Sequence, residues 1–507
     1  MPRGLALCLV AALWGCGAAA PTVTLPSAPP QRDAAALSQA QEAFYTAADV
    51  AGLRAAVDRA REAGPDAAGY HEIAAQLALL EDRPRDAIDH LLSALLDPAA
   101  DAPTLYMHRL ADQHWTLAER QRIEATLAAI RAAHPDPEVR TYAAWMAAHA
   151  AHLRADTAGR DAALAEVGFR LPFAVIGPFD NDQGKALDAE QPPERGIDLK
   201  AKYPGQRVEL SWRVNPPLDP RGKLDLASLL EPSQWQLAYA ASAVDVAREG
   251  DYELRVSSTD PFKVFVDDVL VFEARSVDQW LFDGFAVPVH LRAGVNRVLI
   301  KSAQEKGGWV LVARLTGPGG AALPSDAVKS VAADTPPVSG ATPGPTVPVA
   351  DVLAARVARL AQGARREALT QVWADDMGLR TLSVEHAEAF VRTHPKSLMG
   401  RYRLALALWN NQERGRTADL LNTLTAEADG ALPTLELKQA YFWQQQKLVQ
   451  KARELLVRVH QQWPERPGAA RALASLLEKE GWHEERCALL EDVARRQPQW
   501  PTVQLQL

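Results

Sequence analysis

Cysteine is nearly absent: three residues in 507, of which Cys8 and Cys16 lie at the extreme amino terminus and only Cys487 stands in the body of the chain. That body cannot close a disulfide within itself, so packed cores must hold it, which a chain of this length can build. Basic residues are outnumbered 55 to 63, the net charge is −8, and no basic run or basic–aromatic interleaving occurs. A nucleic-acid partner is thereby disfavoured, because polyanion binding needs clustered Lys and Arg. Long apolar runs are also missing at the amino terminus. Leu5–Leu13 has nine apolar residues, whereas a membrane-spanning helix needs about 20.

Catalytic motifs are equally scarce. No G-x-S-x-G elbow is present. "GPFDNDQGK", from Gly177, has the wrong spacing for a phosphate loop, and Ala186 takes the Ser/Thr position. Asp180, Asp182 and Gly184 faintly suggest a calcium loop, but the sixth-position Gly is missing and Gln191 replaces the bidentate Glu. An Asx-type turn leaving a strand accounts for the stretch better. His149 and His152 supply half a metal site that nothing completes, and "HEIAA" from His71 lacks a closing His. Cys487 has His483 one helical turn before it, within a helix pair rather than a cleft. The expectation is a protein with no catalytic residue, no cofactor and no metal.

What is present begins at the first residues. Arg3, the apolar stretch Leu5–Leu13 and a small-residue exit make a secretory signal. Leu13-Trp14-Gly15-Cys16 resembles the lipobox of bacterial lipoproteins, although Trp14 stands where a small residue is usual. The resemblance implies acylation of Cys16, cleavage before it and, with Gly17 rather than Asp next, sorting to the outer membrane. Two or more acyl chains give stable anchoring where one does not. The alternative, cleavage after Ala18-Ala19-Ala20, leaves Pro21 at the first mature position, which signal peptidase tolerates badly.

From Ala34 to Gly168 the chain is Ala- and Leu-rich with helical apolar spacing. Helical stretches end at recurrent prolines: Pro65, Pro98 and Pro135, then Pro395, Pro433, Pro464 and Pro498. Their spacings of 33 and 37, then 38, 31 and 34, average about 35 residues, close to the period of paired-helix repeats of about 34. Small residues recur before several of these prolines, at Ala87, Ala452 and Cys487, while Ile123 breaks the rule. The two blocks, 34–168 and 351–507, resemble tetratricopeptide repeats.

Between them the period changes from 3.6 to 2. "DYELRVSSTD" sets Tyr252, Leu254 and Val256 against Glu253, Arg255 and Ser257; "FKVFVDDVLVFE" reads as a hairpin about Asp267-Asp268, and "AVPVHLRAGVNRVLIKSA" as another about Ala293-Gly294. Trp212 and Trp309 read as core aromatics on strands. Many short strands with regular turns argue for an antiparallel sandwich. The order "GDYELRVSS", "KVFVDDVLVF", "LRAGVNRVLIK", "WVLVARL" resembles galactose-binding and PA14-like jelly rolls. With the flanking repeats it resembles bacterial envelope proteins whose larger members carry a transglutaminase-like domain, of which this sequence shows no trace.

The predicted fold is therefore multidomain α and β: two tetratricopeptide-like solenoids flanking a jelly-roll-like β-sandwich. The divisions are a signal peptide and lipobox at 1–16, a tether at 17–33, helical repeats at 34–168, the sandwich at 169–320, a flexible or partly extended Pro/Ala-rich linker at 321–350, and further repeats at 351–507. Two functions are compatible with this plan. In the first, a non-catalytic, lipid-anchored envelope scaffold binds protein or peptide partners in its repeat grooves. In the second, the sandwich binds a carbohydrate or peptidoglycan. Its candidate site is Trp280, Phe282 and Asp283 in "SVDQWLFDG", an aromatic platform with adjacent carboxylates. The Asp267-Asp268 pair sits at a hairpin tip, which argues against calcium-dependent sugar binding.

Overall fold

A computed structural model describes residues 23–496 except 27, 114–116, 169–170, 206–207 and 339–342. Cys16 and the signal before it, and with them the expected lipobox, lie outside the described residues.

The first helical array comprises α1 (Ala34–Thr46), α2 (Val50–Ala63), α3 (Ala68–Leu80), α4 (Pro84–Leu96), α5 (Pro103–Ala111), α6 (Leu117–Ala133), α7 (Pro137–Leu153) and α8 (Thr157–Glu166). Local chemistry sets the starts. Asp33, Asp49 and Asp156 cap α1, α2 and α8 by accepting backbone N–H bonds, while Pro84, Pro103 and Pro137 open α4, α5 and α7. Within the array α1 packs on α2, α3 on α4 and α7 on α8. Ala87 on α4 is fully buried, which lets the paired helices approach closely.

The sandwich holds β1 (Ala174–Asp180), β2 (Lys202–Pro204), β3 (Glu209–Ser211), β4 (Arg213–Val214), β5 (Leu224–Asp225) and the single turn α9 (Leu226–Leu229). It continues through β6 (Gln236–Val246), β7 (Gly250–Ser258), β8 (Phe262–Val266), β9 (Val269–Ala274), β10 (Phe285–Leu291), β11 (Gly294–Gln304), β12 (Val310–Thr316) and β13 (Val328–Val331). One antiparallel sheet runs β4-β1-β6-β11-β8-β9 with β13 also on β6; the other runs β10-β7-β12-β5, and β2 and β3 form a separate hairpin. Leu254, Val256, Val287 and Leu311 join Val264 and Ile300 in the buried core. The Asp267-Asp268 turn has both residues at positive φ, 46° and 67°, and Asp268 pairs with Arg297. Trp309 is fully buried just ahead of β12, its indole donating to Ser302 Oγ, and Trp212 is buried between β3 and β4. Asn181 makes the turn after β1, its side chain bonding Ala186 N and Gln304 O.

The second array is built from α10 (Val349–Arg356), α11 (Ala364–Asp376), α12 (Arg380–Thr393), α13 (Leu398–Asn410), α14 (Arg414–Ala428), α15 (Pro433–Gln445), α16 (Val449–Gln462), α17 (Pro467–Lys479) and α18 (His483–Arg496). Helix pairs α11/α12, α13/α14, α15/α16 and α17/α18 stack in sequence. Two tetratricopeptide-like solenoids thus flank an antiparallel sandwich. Among the described residues no helix is long and apolar enough to cross a membrane.

One expectation needs correction. The segment at 321–350 is not a loose spacer. Val328–Val331 pairs with Ala243–Val246 of β6, Val338 N–H bonds Val295 O, and Val347 N–H bonds Val271 O. A sheet edge recruits backbone donors and acceptors, so a segment poor in large apolar side chains still packs there. The two arrays also meet one another. Helix α1 packs on α11 and α13, and α3 packs on α15, so the inner helices of each array face those of the other.

Candidate functional site

The expected sugar platform is buried. Phe282 and Asp283 are each 4% exposed and Trp280 is partly buried. Phe282 stacks on Trp145 of α7 at 5.1 Å and meets Tyr142 edge-on at 5.2 Å; Trp280 packs on Trp145 at 5.3 Å. Lys223 Nζ sits 3.7 Å from the centre of the Trp280 ring, an ammonium over an aromatic face. Burial, aided by Arg221, lowers the Lys223 pKa to about 8. Asp283 accepts from Arg314 Nε at 2.9 Å, and its backbone carbonyl accepts from Arg356. The loop is a joint between sandwich and helices, and the three residues bind the protein to itself.

A second joint gathers all three units at one carboxylate. Glu138 on α7 accepts from Arg255 of β7 at 2.6 Å and from Arg356 of α10. Burial opposes its ionisation, but Arg356 and Arg255 outweigh it and hold the carboxyl at about 2.

The arrays meet around a third cluster. Glu72 on α3 accepts from Tyr45 (2.9 Å) and Tyr106 (2.8 Å) and from both forks of Arg365 on α11, at 3.0 and 2.6 Å. Arg365 also holds Asp101, and Arg109 on α5 grips Asp376 at 2.8 and 3.0 Å. Further out, Ser397 Oγ donates to Tyr45 O and Thr434 Oγ1 to Leu79 O. His108 is buried beside Asp376; burial, with Arg109 nearby, lowers its pKa to about 4, so it is neutral there near pH 7. His71 Nδ1 lies 3.0 Å from that of His90. No group of three or more metal-ligating side chains occurs among the described residues.

Beneath this cluster lies a cavity of about 290 Å³ between α3, α4, α5, α11, α13 and α15. Its lining includes Leu79, Leu105, Val372, Met399, Tyr402 and Lys438. Along α15, Thr434, Lys438 and Tyr441 are spaced four and three apart and therefore share a face. The first two line the cavity, whereas Tyr441 is 49% exposed. On α13, Tyr402 and Leu406 line the cavity and Trp409 follows on the same face. Trp409 and Tyr441 stack at 5.2 Å, with exposed Asn410 and Gln445 beside them. The inner face of the second array is thus covered over part of its length and emerges at this aromatic pair. The two stacked residues belong to different repeats, so no local sequence pattern announces the site.

No family model matches the chain, and no curated protein matches it. A solved structure of nearly identical TPR-like repeats from Podosopora anserina, described as a kinesin light chain, is similar at 22% identity with a TM-score of 0.25, covering 29% of this chain and 86% of that one. The repeat architecture rests on the helix pairing described above.

Proposed function

We propose that the protein is a non-catalytic, lipid-anchored scaffold of the bacterial envelope that holds a protein partner on the open end of its second array. The observation that carries this reading is the stacked Trp409–Tyr441 pair, in which exposed Tyr441 lies against partly buried Trp409 on a face that is elsewhere buried. Aromatic anchors ringed by polar groups are the usual energetic centre of a protein interface. The anchor part rests on Leu13–Cys16. The test is cross-linked capture from envelopes with the full chain, with Cys16→Ala and with Trp409→Ala/Tyr441→Ala. A partner lost in the aromatic variant at unchanged thermal stability supports the scaffold; capture unaffected by that variant overturns the site. Sedimentation of the Cys16→Ala protein with membranes, as for the parent, would overturn the anchor. Turnover of a peptide or glycan by the purified chain would overturn the non-catalytic reading.

A carbohydrate reading keeps one feature in its favour. Trp235 is 44% exposed and sits at φ 56°, a backbone conformation bulky residues rarely adopt, fixed by bonds to Glu305 O and from Asn181 N. If the sandwich binds peptidoglycan, Trp235→Ala removes retention on the insoluble polymer; retention unchanged by that substitution removes this second reading.

A further inference from the structure

We propose that the cavity between the two arrays binds a small amphipathic carboxylate, with Arg403 holding its acid group and the surrounding leucines its hydrocarbon tail.

The charges around the cavity can be followed one by one. Glu72 is saturated by two tyrosine hydroxyls and Arg365. Asp376 is taken by Arg109. Asp375 accepts from Asn410 Nδ2 at 2.8 Å. Arg403, on the cavity face of α13, and Lys438 on α15 are the cations left over: among the described residues neither forms a hydrogen bond or an ion pair within 4.0 Å. Burial and the like charge of Arg109 push the Arg403 pKa below the ordinary guanidinium value, against weaker pulls from Tyr402 and Asp376. A guanidinium nonetheless keeps its proton near neutrality and presents five N–H donors. Arg403 is partly buried, so its unpaired donors face water, and an anion entering the cavity would replace that water with a charge-assisted pair.

The rest of the wall selects what kind of anion. Leu79, Leu80, Leu91, Leu105, Val372 and Leu406 make it apolar. Arg403 and Lys438 both bring positive charge to one acid group, and the carboxylates of Glu72, Asp375 and Asp376 nearby oppose a larger negative charge. A planar carboxylate fits the two-pronged guanidinium. A volume of about 290 Å³ holds on the order of ten water-sized groups. That suits a medium-length alkyl chain, whereas a peptide would bury backbone groups against leucine with no partner. Half-buried Thr434 and Lys438 complete the lining on the α15 side.

The experiment titrates decanoate into the purified full chain, read by calorimetry and thermal unfolding, beside decanol (tail without charge) and acetate (charge without tail). Decanoate is expected to bind and to raise Tm, since a ligand of the native state alone stabilises it. Decanol and acetate are each expected to bind at least tenfold more weakly. Arg403→Gln should weaken decanoate at least tenfold, and Val372→Phe, which fills the cavity, should abolish binding. No binding of decanoate up to about 1 mM, decanol binding equal to decanoate, or undiminished affinity in Arg403→Gln would each overturn the proposal. Should Arg403→Gln fail to fold, the decanol comparison and Val372→Phe still decide it.

Discussion

Asp283 shows how a residue's role turns on partners that its neighbours in sequence do not reveal. In "SVDQWLFDG" an aromatic pair next to a carboxylate has the composition of a sugar platform, yet Asp283 pairs with Arg314 on β12 and Phe282 stacks on Trp145 of α7. A loop that grips a ring and a loop that plugs two domains together use the same amphipathic residues, so composition alone cannot separate them. Replacing Asp283 by Ala leaves Arg314, 1% exposed, without its carboxylate. The expected loss is about 3–5 kcal/mol in denaturant unfolding; a loss under about 1 kcal/mol would show that Val167 O, its other acceptor, suffices. His108 gives a pH signature. Its folded pKa, about 4, lies below the ordinary value near 6.5, so its share of stability is present above pH 6.5 and is lost as pH falls toward 4. The sum is up to about 3 kcal/mol. His108→Leu should therefore lose less stability than the parent between pH 7 and 4.5, measured by urea midpoints.

At the level of helices and strands, much is legible because it is decided locally. A Pro cannot continue a helix, and Pro65, Pro98, Pro395 and Pro464 lie in the turns while Pro433 opens α15. The Asp267-Asp268 hairpin arises from residues that accept positive φ, whereas the expected Ala293-Gly294 hairpin is instead a crossover: Gly294 takes φ 100°, but β10 pairs with β7 and β11 with β6 and β8, in the other sheet. Alternation along β7 is legible too, but not that Arg255 and Ser257, on its outer face, are also buried. Arg255 is bonded to α7, more than a hundred residues earlier, and Ser257 to the 281–284 loop, where its hydroxyl donates to Leu281 O and accepts from Gly284 N. The 321–350 segment escapes a local reading for a related reason: low hydrophobicity rules out a core, yet β13 needs only the end of β6, Ala243–Val246, that β1 leaves unpaired. One contact between elements can be tested directly. Asp82, in the turn between α3 and α4, accepts from Gly468 N at the start of α17, at 2.7 Å. Burial raises its pKa to about 6 despite that bond and nearby Arg466. A raised carboxyl pKa gives stability present below about 3.8 and lost as pH rises through 6. Asp82→Asn, which keeps an acceptor and tolerates the residue's positive φ of 52°, should gain about 1–2 kcal/mol at pH 7.5 and almost nothing at pH 4. Equal effects at the two pH values would mean that the ionised form carries no penalty.

Taken as a whole, the molecule is a clasp rather than two grippers on a string. Avidity between independent grooves is the natural expectation from repeats joined by a pliable segment. It requires that the inner helices be free, and pairs such as Glu72–Arg365, 293 residues apart, are invisible to any local pattern. The Glu138 junction makes the same point, because one carboxylate ties α7 to β7 and α10. These contacts are made by side chains and by helix faces, so the covalent connection between sandwich and second array is dispensable for holding them together. A protease site inserted at Asp334–Thr335, in the turn after β13, and cut in the folded protein should leave the two fragments eluting as one species in size exclusion at physiological salt. The same cut made in a Glu72→Ala/Glu138→Ala protein should release the second array. Two buried arginine clusters would then lack counter-charges, and the guanidinium groups would regain water only by separating the faces. Fragments that part after cleavage of the otherwise unaltered chain would show that the connecting segment, not the interface, holds the arrays.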